Sequence, residues 1–191
     1  GGLGTRLKPL TSEVPKPLVP VTNVNMVDYA IAHLIYANIK HIIIALAYMG
    51  ETLKEYIERT WTPEKLGDVE LECLIQESKG TADAVRLMTD KIQSKNFVVS
   101  MADIVTNLPM RKFMDFHTSK EGIATISMKS VESHTSQYGV VLLDKNRKIY
   151  LFLEKPGPME LYVSSIAQRN DLYLHTNVIN TGIYCFNRNI L

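Results

Sequence analysis

Cysteine is nearly absent. Cys73 and Cys185 are the only two in 191 residues, which excludes a disulfide framework and a paired-cysteine zinc site. Each stands alone in an apolar run, as in proteins of a reducing compartment. Long hydrophobic runs are missing too: the longest, Ile42 to Met49, falls far short of the roughly 20 residues that span a bilayer. With no signal-peptide pattern in the opening residues, a soluble, cytoplasmic protein without a membrane partner is expected. Charge of one sign is also lacking, since 21 Lys and Arg stand against 20 Asp and Glu for a net charge of +1. Nucleic acid is therefore not an expected partner, and any anion must be held by a local cluster. The five histidines, His33, His41, His117, His134 and His175, lack metal-ligand spacing and read as surface or capping side chains. Trp61 and the methionines read as packing.

What is present is a 46% hydrophobic chain long enough for one substantial core. Val27, Ala30, Ile31, Leu34 and Ile35 fall at helical spacing over Val27 to Ile39, followed by a β-branched run from His41 to Ala47. Glu51 to Arg59 predicts a helix closed by Trp61-Thr62-Pro63. Val69 to Gln76 predicts a strand, Thr81 to Ile92 a helix, and Phe97 to Met101 a strand that runs out at Asp103. This β-α-β-α-β alternation is the signature of a mainly parallel sheet. Further along, Met110 to Lys120 reads as a helix, Ile123 to Ser130 as extended, Met159 to Gln168 as a helix and Thr181 to Phe186 as a last strand. Asp144-Lys145-Asn146-Arg147 between Val140 to Leu143 and Ile149 to Leu153 signals a hairpin, an antiparallel addition.

The chemistry concentrates at the front. Gly1-Gly2-Leu3-Gly4-Thr5-Arg6-Leu7-Lys8-Pro9-Leu10-Thr11 is followed by Pro15-Lys16-Pro17. Glycine lets backbone N–H groups turn toward an oxyanion without a Cβ in the way, and the prolines flanking Lys16 restrict its backbone. Arg6 and Lys16 add positive charge, so the loop suits phosphate. It is neither a G-x-x-x-x-G-K-[ST] loop, since no Gly-Lys-Ser/Thr occurs, nor a G-x-G-x-x-G fingerprint, since Leu7 stands where the third glycine belongs. No two aspartates stand two apart, which removes the Asp-x-Asp metal motif of many glycosyltransferases. On the residues alone, Asp103 serves equally as a helix N-cap or turn former, Gln76 as a solvated strand end, and Glu154 with Lys155 as a surface ion pair.

The G-G-x-G-T-R-L-x-P-L-T segment with its following P-K-P resembles the signature of the sugar-1-phosphate nucleotidylyltransferases, which include mannose-1-phosphate guanylyltransferases and glucose-1-phosphate thymidylyl- and uridylyltransferases. Gln76 to Ala82, Val98 to Asp103, Tyr138-Gly139-Val140, Glu154-Lys155-Pro156 and Asn180-Thr181-Gly182 continue the resemblance in order along the whole chain. It implies an α/β, Rossmann-like nucleotide-binding domain with a central mixed, mainly parallel sheet and helices on both faces. It also implies an enzyme that joins a sugar 1-phosphate to a nucleoside triphosphate, giving a nucleotide sugar and pyrophosphate, with Mg²⁺ as cofactor.

By the same resemblance Arg6 and Lys16 meet the triphosphate, with Gly2, Gly4 and Thr5 lending backbone or hydroxyl contacts. Asp103 holds the metal, and Ala102 stands where many relatives carry glycine. Gln76, Gly80 and Thr81 wrap the base, in a Gly-Thr-Ala form closer to guanylyl- and archaeal-type thymidylyltransferases. Lys155 meets the sugar phosphate, Glu154 the hydroxyls, and Tyr138, Gly139 and Asn180 the rest of the sugar. The alternative is a non-catalytic regulatory homologue of the same fold; such relatives tend to lose charged residues that Arg6, Lys16, Asp103 and Lys155 retain here. A homo-oligomer is left open. Because no strand precedes the glycine loop, residues 1–191 are expected to be a nucleotidyltransferase domain lacking its first strand and its C-terminal part, with the family's second metal-binding aspartate beyond residue 191.

Overall fold

A computed structural model describes residues 4–131, 139–153, 157 and 171–191. The chain divides into two compact units, one formed by Gly1–Thr125 with Tyr184–Leu191, the other by Ile126–Ile183.

The first unit opens with a 3₁₀ turn at Thr5–Leu7, a second at Lys16–Leu18, and a two-residue antiparallel ribbon of β1 (Pro20–Val21) and β2 (Val24–Asn25). Helix α1 (Met26–Tyr36) then turns Val27 and Ile31 inward, the face set by the helical spacing in the sequence. The strand β3 (His41–Leu46) buries Ile42, Ile44 and Leu46 alternately. It pairs in parallel with β4 (Glu70–Ile75) over the full register from His41↔Glu70 to Leu46↔Ile75. A parallel pair needs a crossover. Helix α2 (Gly50–Thr60) provides it, pressing Leu53 and Ile57 onto the strands. Pro63 does stop α2, and it also starts the one-turn α3 (Pro63–Leu66), where its missing N–H costs nothing.

Val27, Ile31, Ile42, Ile44, Leu46, Leu53, Ile57 and Val69 form one apolar cluster. Each such side chain contributes roughly 1.5–3 kcal/mol when fully buried. Trp61 packs on its edge, as expected from the sequence, and its indole N–H also donates to Asp28 Oδ1 at 2.8 Å while the Tyr56 hydroxyl donates to Asp28 Oδ2 at 2.6 Å.

The expected helix over Thr81 to Ile92 is shorter than its apolar spacing suggests. Helix α4 ends at Arg86 (Thr81–Arg86) and is followed by a 3₁₀ turn at Thr89–Lys91. The Thr89 hydroxyl donates to the Arg86 carbonyl at 2.7 Å, offering that oxygen an alternative to the helical ladder. Strand β5 (Asn96–Ser100) and α5 (Met110–Lys120) agree closely with the sequence pattern. His117 does not: it is buried, not a surface or capping residue, and its Nδ1 lies 2.8 Å from Thr125 Oγ1. Its place on the inner face of α5 decides this. In the first unit β5 also neighbours the end of the last strand, where Phe97 and Phe186 meet with ring centroids 5.6 Å apart.

The second unit is antiparallel. It contains most of β6 (Ala124–Ser130), the hairpin of β7 (Gly139–Asp144) and β8 (Ile149–Leu153), and the front of β9 (Leu172–Asn187), which pairs with β7 and β6. The hairpin turns where the sequence signals it: Asp144 Oδ1 accepts from the backbone of Asn146 and Lys148, and Arg147 adopts a positive φ. The final strand is 16 residues long, well beyond the expected Thr181 to Phe186: polar His175-Thr176-Asn177 interrupts its apolar run, yet the front half pairs with β7. The expected helix over Met159 to Gln168 lies outside the described residues. Among the described residues no helix is long and apolar enough to cross a membrane.

Candidate active site

The described part of the glycine loop, from Gly4 to Thr11, is held at its two ends. Gly4 takes a left-handed conformation with φ +62°, and its carbonyl accepts from Leu7 N at 2.9 Å and from the Thr11 hydroxyl at 2.7 Å. Thr11 is buried although the residues around it are exposed. A Cβ at Gly4 would stand 3.1 Å from Thr11 Cβ, so glycine is required both for the turn and for the approach. The sequence motif includes Thr11 without revealing its role; the structure makes it the clasp. Thr5 and Arg6 sit on the exposed 3₁₀ turn, and Arg6 makes no ion pair with any described residue.

Lys16 is positioned by its neighbours on both sides. Pro15 is buried and extended, Lys16–Leu18 forms a 3₁₀ turn with Pro17 inside it, and Leu18 packs on the apolar cluster. Asp103 is placed in the same way, three residues past the end of β5, with Ala102 packed on that cluster. The same core therefore fixes two loops 87 residues apart in sequence, and Lys16 Nζ meets Asp103 Oδ2 at 2.5 Å. Asp103 is not a helix N-cap, since α5 begins seven residues later, and one of its carboxylate oxygens, Oδ2, is bonded to the lysine. Both side chains remain about one-third exposed, so the pair contributes little to stability, on the order of 0–1 kcal/mol. Its interest is chemical: a cation and an anion meet at the carboxyl edge of a strand, the usual ligand edge of an α/β sheet.

Gln76 continues the parallel ladder, its N–H donating to the Leu46 carbonyl at 2.9 Å. Its side-chain Nε2 donates to the Ala84 carbonyl at 3.1 Å, which ties the end of β4 to α4 and leaves Oε1 as the free face of the amide. The intervening loop is shaped by Gly80, whose φ of +148° and ψ of −177° are open to glycine almost alone. Asp83, which stands outside the residues expected to bind, closes this loop. It accepts from Lys79 N at 3.0 Å through Oδ2 and from Arg86 through Oδ1, and these bonds hold its carboxyl below the usual range. An aspartate in the first turn of a helix is the signal that the sequence carries for it. Thr81 is exposed at the head of α4.

Of the sugar-side residues, Gly139 and Asn180 are described, both in the second unit. Gly139 opens β7 opposite Val178, two residues before Asn180. Asn180 Oδ1 accepts from Gly182 N at 2.9 Å, supporting the positive φ of Gly182 inside the strand. The Thr181 hydroxyl lies 3.0 Å from the Ser127 carbonyl and 2.8 Å from its Oγ, tying β9 to β6. Gly2, Tyr138, Glu154 and Lys155 lie outside the described residues.

Neither cysteine offers a thiolate at neutral pH, because burial pushes both Cys73 and Cys185 up to about 11. Among the described residues one group could crowd a metal: the parallel register brings His41, Glu70 and Glu72 within 4.8 Å of one another. Glu72 is already bonded to Lys91 there, so the group is a surface charge network.

The chain matches the family model described as nucleotidyl transferase over residues 1–191. It is 32% identical over 196 residues to mannose-1-phosphate guanylyltransferase 1 of Arabidopsis thaliana, covering 100% of this chain and 49% of that protein. It is 34% identical over 193 residues to the mannose-1-phosphate guanylyltransferase catalytic subunit beta of Drosophila melanogaster, covering 100% and 47%. The chain thus spans about half the length of the curated relatives it matches. The crystal structure of HddC from Yersinia pseudotuberculosis is similar with a TM-score of 0.74 at 23% identity, over 100% of this chain and 75% of that one. That likeness shows the fold, the α/β class expected from the alternating pattern.

Proposed function

Because the chain belongs to the nucleotidyl transferase family, we propose that it joins a sugar 1-phosphate to the α-phosphorus of a nucleoside triphosphate, releasing pyrophosphate and a nucleotide sugar. The observation that carries this reading is the meeting of Lys16 and Asp103 at 2.5 Å, on two loops fixed by one core. Such a site offers an ammonium to phosphate oxygens and a carboxylate to a metal ion.

The two substrates are both polyanions, and their repulsion is the first barrier. The attacking phosphate oxygen is largely ionised at neutral pH, its second pKa being about 6, so no general base is required. Catalysis then rests on positioning and charge neutralisation. Arg6 and Lys16 take the triphosphate, with the loop Gly2, Gly4 and Thr5 around it. Gln76 presents its amide Oε1 to the base beside Gly80 and Thr81. Tyr138, Gly139, Glu154, Lys155 and Asn180 take the sugar phosphate. Asp103 suits Mg²⁺, an ion bound by one or two carboxylates together with substrate phosphates and water. When bound, such an ion supplies charge neutralisation at the phosphates.

The guanosine and mannose pairing is our choice among substrates, supported by relatives named mannose-1-phosphate guanylyltransferases and by the Gly80-Thr81-Ala82 form of the base loop. A cytoplasmic location belongs to the same proposal, supported by two free cysteines. The retained Arg6, Lys16, Asp103 and Lys155 favour an enzyme over a regulatory homologue. The test is chromatographic: the whole protein is offered each common nucleoside triphosphate with mannose, glucose or N-acetylglucosamine 1-phosphate and Mg²⁺. A guanosine diphosphate sugar from the mannose arm is expected, and no nucleotide sugar in any arm overturns the reading.

A further inference from the structure

The geometry points to a guarding role for Lys16: without nucleotide it occupies Asp103, keeps a divalent cation from that carboxylate, and releases it only when a triphosphate draws the ammonium away. This rests on the proposed function and goes beyond it, since there Lys16 and Asp103 simply bind different parts of the substrate.

Three observations carry it. Lys16 Nζ stands 2.5 Å from Asp103 Oδ2, a distance at which the ammonium fills the space a cation would take at that oxygen. Mg²⁺ needs its oxygens at about 2.0–2.1 Å and cannot share Oδ2 with an ammonium without close repulsion between the two cations. Second, the contact is built rather than incidental. Leu18 and Ala102, close to the two residues in sequence, pack on the same apolar cluster, so the loops cannot drift apart freely. Third, Lys16 follows the glycine-rich segment whose Arg6 is exposed and makes no ion pair with any described residue. An arriving triphosphate offers Lys16 an acceptor of higher charge than one carboxylate.

The consequence is a coupling. If nucleotide frees Asp103, nucleotide binding strengthens metal binding, and by linkage the metal strengthens nucleotide binding by the same factor. Free metal then does not load the site ahead of its substrate.

The experiment measures Mn²⁺ binding to the whole, nucleotide-free protein by the loss of the free-ion electron paramagnetic resonance signal. Removing the guard with Lys16→Met is expected to tighten Mn²⁺ binding about fivefold or more, at the lower end of typical coupling energies. Lys16→Arg, which keeps a cation on the carboxylate, is expected to stay near wild type. Adding Asp103→Asn to Lys16→Met is expected to abolish the gain. Circular dichroism confirms folding, and Lys16→Gln replaces the methionine variant if that one unfolds. Equal or weaker Mn²⁺ binding in the folded Lys16→Met protein, or a gain that survives Asp103→Asn, overturns the guard. Failure of the proposed function would show separately, as a wild-type protein that makes no nucleotide sugar.

Discussion

The hydroxyl of Thr11 donates to the carbonyl of Gly4 at 2.7 Å and closes the glycine loop on itself. Six residues lie between the two, and the loop they bracket holds Thr5 and Arg6 outward. Without that bond, phosphate binding would have to supply more of the free energy that orders the loop. The clasp supplies it in advance.

Thr11→Val keeps the side-chain shape but leaves the Gly4 carbonyl with one donor fewer. Loss of a buried hydrogen bond costs about 1–3 kcal/mol. Because the loop is local, that cost is expected as a several-fold higher KM for the nucleoside triphosphate, with the KM for sugar phosphate little changed. Steady-state kinetics with each substrate varied in turn checks this, and equal rises in both would remove the loop from the nucleotide side.

Gly80→Ala tests the base loop. Nothing lies within 4 Å of a Cβ there, so any effect is conformational rather than steric. A non-glycine residue at φ +148° and ψ −177° is strained by about 1–3 kcal/mol. The loop is expected to relax away from this shape, weakening nucleotide binding while thermal melting changes little. Calorimetric titration with a non-hydrolysable triphosphate reads it out, and wild-type affinity would contradict the placement.

His117 makes stability depend on pH. Burial pulls its pKa below the ordinary value of 6.5, so the unfolded chain binds more protons than the folded one at mildly acidic pH. Stability is therefore expected to fall as pH drops below about 6.5, and the loss to continue down to the lowered folded pKa. Urea midpoints at pH 7 and pH 5.5 measure it. His117→Asn, though less stable throughout, is expected to show a smaller difference between the two pH values; an unchanged difference would assign the pH dependence elsewhere.

Much of the first unit is legible in the sequence, and the reason is local. Val27, Ile31, Leu53 and Ile57 repeat with a helical period, and Ile42, Ile44 and Leu46 with a strand period, so pattern and burial agree. Where pattern and structure part, a side chain competes with the backbone or a polar interruption hides a pairing. Thr89 takes the Arg86 carbonyl and ends α4 early. The front of β9, with Asp171, His175, Thr176 and Asn177 in and beside it, carries little apolar alternation, yet its backbone pairs with β7. A lone histidine such as His117 usually lies at the surface; only the inward face of α5 shows otherwise. In the site, residue types and order name Lys16 and Asp103 separately. Their contact across 87 residues is a tertiary fact with no trace in spacing. The role of Thr11 is hidden for a similar reason, since it acts by donating to a backbone carbonyl.

Lys155→Ala separates the two substrates. The family resemblance of Glu154-Lys155-Pro156 is the ground for proposing it at the sugar phosphate, so the variant is expected to raise the KM for sugar 1-phosphate by about tenfold or more, the loss of a charge-assisted contact, and to leave the KM for nucleotide near wild type. The reverse pattern would exchange the two subsites.

Lys16 and Asp103 are proposed as the two halves of one triphosphate and metal site. The most direct measurement is the rate of pyrophosphate release by the whole protein, with guanosine triphosphate, mannose 1-phosphate and Mg²⁺ all saturating, for wild type, Lys16→Ala and Asp103→Asn. Each variant is expected to fold and to lose about a hundredfold or more of the wild-type rate, the scale of removing one electrostatic group from a phosphoryl-transfer site. A wild-type enzyme that turns over beside two folded variants within about threefold of its rate, less than about 1 kcal/mol of transition-state stabilisation, would remove Lys16 and Asp103 from the reacting site.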